Sequence, residues 1–266
     1  MFNLIRSIGY NIMRSKVFIL TMLSLVGMPF LFLILNDENA TMIKKISGVD
    51  YFGGYMGDMY IISIIGMIIL SAVICGGDAG DKTINYEFMD GHSRKSIFAS
   101  RILCNFFWSG IVVTGLVCLP FALVTLLNGV GKGAVLSDLV LRSILTLLPT
   151  FRLVMLFSML TMVARSAAKG GALSYMCFMI TVIATEGFQV SGIEYDFLNY
   201  AVGFQNCVIL FSHNNATPMV IDGEQLIVSD YSLSAGVVGT TCLVSLVMGV
   251  LYLGIAYVVF VRSDRD

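Results

Sequence analysis

Few residues in this 266-residue chain have the types and spacing that chemistry requires. Its two histidines, His92 and His213, belong to no HExxH pair, so neither gives the i, i+4 imidazoles of a helical zinc site. No serine occupies a GxSxG elbow, and no two carboxylates share an apolar stretch. Gly131, Lys132 and Gly133 look like a fragment of a phosphate loop. The full GxxxxGK[ST] pattern would need Gly at position 126 and Ser or Thr at 133, where the chain has Leu126 and Gly133. The chain is therefore expected to be no enzyme, to hold no metal and no cofactor, and to leave any nucleotide binding to another chain. What remains is one cation and one carboxylate in apolar surroundings, Arg152 and Glu186. Either can be held there only by a partner, by water, or by reaching the interface.

The elements that would position these two are membrane helices. Hydrophobic residues make up 57% of the chain and charged ones 12%, about half the charged fraction of an ordinary soluble domain. A formal charge of −1 gives no basic footprint for nucleic acid. Runs long enough for the hydrocarbon core fall at 17–35, 59–75, 102–127, 139–164, 171–187 and 235–261. The predicted fold class is an all-α membrane protein with six transmembrane helices forming a single transmembrane domain over 1–266. Pro120 predicts a kink in the third span, and Gly236, Gly239, Gly249 and Gly254 predict close packing of the sixth. Five of the six cysteines fall in the spans, with Cys207 outside them, so no disulfide framework is expected.

Cytoplasmic loops retain Lys and Arg. Placing both termini inside collects Arg6, Arg14, Lys16, Lys82, Arg94, Lys95, Arg101, Arg165, Lys169, Arg262 and Arg265 on that side. Only Lys44, Lys45, Lys132 and Arg142 are left outside. Ahead of the first span, Phe2, Ile5, Ile8 and Ile12 recur at helical spacing and suit a helix lying in the interface; a plain charged anchor is the alternative. In the fourth span Arg152 would sit about 20 Å above the inner boundary, and Glu186 in the fifth about 26 Å, at 1.5 Å per residue. Long side chains can bridge that difference. Arg152 then either pairs with Glu186, meets an anionic group of a substrate or lipid on a transport path, or snorkels to water.

The inner segment 76–101, GGDAGDKTINYEFMDGHSRKSIFASR, has an internal logic. Asp81 or Thr83 can cap a short helix, Ile84 and Phe88 share its face at i and i+4, and Gly91 can stop it in a left-handed conformation. Ser93 then caps a new helix running into the third span. The outcome is either a short amphipathic element fit for a groove on a soluble partner or a solvated connector. Before the sixth span, 188–234 lies outside by this topology. Its stretch Phe197–Phe211, broken by Asn199, Gln205 and Asn206, suits a re-entrant or interfacial helix, or else a packed outer loop.

Asp81, Lys82, Thr83 and Ile84, followed by Gly91, His92, Ser93, Arg94, Lys95 and Ile97, resemble the first cytoplasmic loop of the ABC-2 type permeases, the membrane subunits of ATP-binding-cassette exporters. The six-span layout and interfacial N-terminal helix extend the resemblance over nearly the whole chain, although Lys82 stands where many members have Gly. The resemblance implies a coupling helix between spans two and three, with Thr83, Ile84, Glu87 and Phe88 docking on an ATPase. Gly91, Ser93 and Arg94 would complete that interface as the hinge into span three. It further implies ATP and Mg held by partner ABC ATPase subunits, a second permease protomer, identical or not, membrane lipids around them, and the plasma membrane of a bacterium. Export of an amphipathic or hydrophobic solute follows, with antimicrobial peptide export or immunity the best match. The rival readings are an ion-gradient-driven secondary transporter and a non-transporting membrane scaffold.

Overall fold

The computed structural model describes residues 2–16, 18–20, 23, 27, 47–80, 89, 91–131, 135–190, 215–221, 224–230, 232–233 and 235–262. In chain order the helices are α1 (Phe2–Arg14), α2 (Gly48–Gly54), α3 (Met56–Gly80), α4 (Arg94–Val113), a π-helical turn (Thr114–Cys118) and α5 (Leu119–Asn128). Next come α6 (Leu136–Leu145), α7 (Leu147–Ala164), α8 (Ala167–Val190), the strands β1 (Asn215–Ile221) and β2 (Glu224–Asp230), and α9 (Ala235–Arg262). Five helical stretches among the described residues are long and apolar enough to cross a membrane: Met56–Gly77, Arg94–Asn128, Leu136–Ala164, Ala167–Ala184 and Val238–Arg262. This is a multi-pass membrane protein. Most of the expected first span, 17–35, lies outside the described residues, as does 191–214 with its expected re-entrant helix.

Two prolines shape the long spans. Pro120 has no N–H, so the carbonyl four residues before it loses its α-helical donor; the chain opens into the π turn immediately ahead, and the Leu119 N–H donates five residues back to Thr114. The expected kink is thus a widened turn within one continuous span. Pro149 acts likewise on Leu145, and α6 gives way to α7 at Thr146, whose N–H still reaches the Arg142 carbonyl at 3.2 Å.

Helix α7 is the axis of the bundle, packed against α9, α8, α3 and α4. Because α8 and α9 bury only a small share of their apolar surface, they form its flank, while α3 is mostly enclosed. Close approach at the α7–α8 corner is permitted by small residues: a Cβ on Gly170 would fall 2.7 Å from Thr161 Cα, and one on Gly76 of α3 would fall 2.9 Å from Ala167 Cα. The corner itself turns on Arg165, which ends α7 in the left-handed region at φ 52°.

At the opposite end, α2 begins with a capping box: Asp50 N–H donates to Ser47 Oγ at 3.3 Å, and Ser47 N–H donates to Asp50 Oδ2 at 3.1 Å. Two more N–H groups of its first turn, those of Gly48 and Val49, donate to the carbonyls of Gly129 and Val130 at 3.1 and 2.9 Å. The segment 129–131 is therefore a turn that closes α5 onto α2. Beside it Tyr51 is 1% exposed, and its hydroxyl has no hydrogen-bond partner among the described residues. Burial pushes that phenol well above its ordinary pKa. Since an unsatisfied buried hydroxyl costs about 1–3 kcal/mol, Tyr51→Phe is expected to leave the melting temperature unchanged or raised; a clear drop would mean that the hydroxyl has a partner.

β1 and β2 pair antiparallel from Asn215 with Asp230 to Ile221 with Glu224. The all-α expectation is therefore confined to the spans. The strands flank Asp222 and Gly223, a residue pair favoured in two-residue hairpin connections.

Candidate functional site

Among the expected docking residues, Thr83, Ile84, Glu87 and Phe88 lie outside the described residues. The hinge is described. Gly91 has φ +80°, a conformation that β-carbons disfavour. Ser93 then caps α4, its Oγ accepting from the Ser96 N–H at 3.3 Å. Arg94 does what the sequence alone does not foretell. Its Nη1 donates to the Val261 carbonyl at 3.3 Å, fastening the first residue of α4 to the last turn of α9.

The site of this contact is chemically apt. The last four carbonyls of a helix have no intrahelical donor and carry the negative end of its dipole, so a guanidinium there is favourable by about 0.3–1 kcal/mol. One turn further on, Phe98 packs on Tyr257 and Phe260, ring centroids 5.4 and 5.7 Å away. Phe98 and Phe260 are buried. The start of α4 and the end of α9 are therefore joined by the Arg94 hydrogen bond and by the packing of Phe98 on two aromatic rings, directly after the segment 81–90. Substituting Arg94→Met keeps the stem and removes the charge. Faster hydrogen–deuterium exchange over 258–262, with the middle of α9 unchanged, is the expected result. Equal protection in both proteins would show that Arg94 does not hold the helix end.

Further along α4, positions 101, 105 and 109 recur every four residues and share one face. Arg101, fully buried, donates from Nη1 to the Ile74 carbonyl at 3.4 Å. Asn105 Nδ2 donates to Ser71 Oγ of α3 and to Ser158 Oγ of α7, both at 2.8 Å, and its Oδ1 accepts from Ser109 at 3.4 Å. Nearer the α2 end, the Tyr60 and Thr150 hydroxyls meet at 3.0 Å. A buried polar seam thus runs between α3, α4 and α7 and binds them into one block. Its central donor, a lone amide in an apolar span, was the signal in the sequence.

Arg152 is 3% exposed on α7, where its charge acts on Tyr252 of α9. The side chain of its expected partner Glu186, in the last turns of α8, lies outside the described residues. Two further arginines, counted in the sequence as inner and outer charges, are more deeply enclosed than Arg152. Arg101 is one. Arg142 is 1% exposed, and its Nη2 donates to the Ser232 carbonyl at 3.2 Å, tying α6 to the segment that enters α9. Among the described residues no group of three His, Cys, Asp or Glu side chains could hold a metal ion. No family model, curated protein or solved structure matches the chain.

Proposed function

We propose that this chain is the permease subunit of an ABC-2 type exporter, converting ATP binding by a separate subunit into outward movement of an amphipathic or hydrophobic solute, an antimicrobial peptide being the favoured class. The observation that carries the reading is the Arg94 fastening. A displacement of the segment 81–90 is delivered through Gly91 and Ser93 to a helix start that holds the end of α9. From there α9 packs on α7, and the seam at Asn105 ties α4 to α3 and α7. In this reading Thr83, Ile84, Glu87 and Phe88 receive the push, two protomers face each other in the plasma membrane, both termini are cytoplasmic, and ATP and Mg stay on the partner.

The buried cations Arg101, Arg142 and Arg152 favour a second reading, a secondary transporter that uses ionisable side chains inside its bundle. Purification of the tagged chain from its native membrane in mild detergent separates the two. The exporter reading expects a Walker-motif ATPase in a fixed ratio. Intact, transport-competent complexes without one, driven by an ion gradient, would replace it with the second.

A further inference from the structure

The helical stretch Leu136–Ala164 is built in two pieces, α6 and α7, and these are held to different parts of the molecule. α7 packs against α3, α4, α8 and α9, whereas α6 has no comparable packing with any described element. Leu136, Val140, Leu141 and Ile144 of α6 are exposed, and its buried face is Leu139, Arg142 and Leu145.

At the joint the backbone ladder is thinned. Pro149 takes away the α-helical donor of the Leu145 carbonyl, and side-chain hydroxyls bridge the same turn. Thr146 Oγ1 donates to the Ser143 carbonyl at 2.6 Å, and Thr150 Oγ1 donates to the Thr146 carbonyl at 2.7 Å. Back-bonding of this kind bends helices. The Thr150 hydroxyl has given its single hydrogen to Thr146, so in its 3.0 Å contact with Tyr60 the donor is Tyr60 of α3. One turn past the joint, α7 is thus tied to α3.

One turn before the joint, the tie leads elsewhere. Arg142 is 1% exposed, and its Nη2 donates to the Ser232 carbonyl at 3.2 Å. The Ser232 N–H donates in turn to Oδ1 of Asp230, the last residue of β2, at 2.8 Å. A line of hydrogen bonds therefore runs from α6 to the end of the hairpin.

We propose that α6 is a lever hinged at 145–149, which swings on α7 and carries Ser232 and the end of β2 with it as one unit. Ten residues of helix make the lever about 15 Å long. Tyr60 and Thr150 hold the fixed side of the pivot, and Arg142 transmits the motion. The device does not depend on the exporter reading.

The test is hydrogen–deuterium exchange of the full chain in lipid nanodiscs, with 151–164 of α7 as the internal reference. Pro149→Ala restores the missing donor and stiffens the joint. Relative to the reference, exchange is expected to slow at least threefold in 136–146 and also in 226–233, a segment the substitution does not touch. Adding Arg142→Met should keep the slowing in α6 and abolish it in 226–233. Thr146→Val, which removes one hydroxyl bridge at constant shape, has the opposite sign and should speed exchange in both segments, so the proposal stays testable if the alanine variant does not fold. Unchanged exchange of 226–233 in Pro149→Ala or in Thr146→Val would overturn the lever, and equal slowing of 226–233 with and without Arg142 would overturn the coupling.

Discussion

Gly170→Val is expected to lower the melting temperature by several degrees in detergent, because the new Cβ would lie 2.7 Å from Thr161 Cα and 2.8 Å from its Cγ2. The nearer atom is backbone and cannot rotate away. The α7–α8 corner would have to open, and overpacking of this kind costs about 1–3 kcal/mol. Thr161 is also the residue that a β-carbon on Gly76 would strike, at 2.6 Å from Cγ2, so α3 would be displaced along with α8. Gly254→Val is the matched control, since nothing lies within 4 Å of a Cβ there. A Gly170→Val protein as stable as this control would show that α7 and α8 do not approach so closely.

The other large effect is expected at Asn105. Replacing it by leucine conserves volume but takes the Asn105 donor away from Ser71 and Ser158, Ser158 keeping only its own bond to the Val154 carbonyl, and it removes the side chain that ties α3, α4 and α7 together among the bonds described. Interhelical hydrogen bonds in membranes average about 0.6 kcal/mol, with a maximum near 1.7; with Ser71, Ser158 and Ser109 all engaged, a loss of about 1–3 kcal/mol follows. A double-mutant cycle of Asn105→Leu with Ser158→Ala isolates one bond and should return a coupling of about 0.6–1.7 kcal/mol. Strict additivity of the two changes would mean that the seam is not a connected network.

What could be read from the residues depended on whether the cause was local. Apolar runs mark the spans, and Gly91 and Ser93 announce a turn and a cap because each acts within three residues of itself, Gly91 through its φ and Ser93 through its hydroxyl on the Ser96 N–H. Asp222 and Gly223 gave an equally local hairpin signal, obscured by reading all of 188–234 as one outer segment. The long-range partners were not legible. Arg94, Arg101 and Arg142 look alike in sequence, three cations beside or within apolar runs; Arg94 is expected in the hinge into the third span, and Arg101 and Arg142 only as inner and outer charges. Each instead donates to a carbonyl of another element, at Val261, Ile74 and Ser232. Only the tertiary fold brings those carbonyls near. The π turn is similar, since Pro120 shows that a hydrogen bond is missing and leaves open how the turn before it will accommodate the loss.

The central claim is that force enters at 81–90 and leaves through α4 and α9. The most direct measurement is ATP hydrolysis by the purified complex with and without solute, comparing the natural chain with Ile84→Asp combined with Phe88→Asp. The account predicts that the double variant still folds and inserts but loses its grip on the ATPase, with solute-stimulated hydrolysis falling at least tenfold. Undiminished association and stimulation in that variant would contradict it.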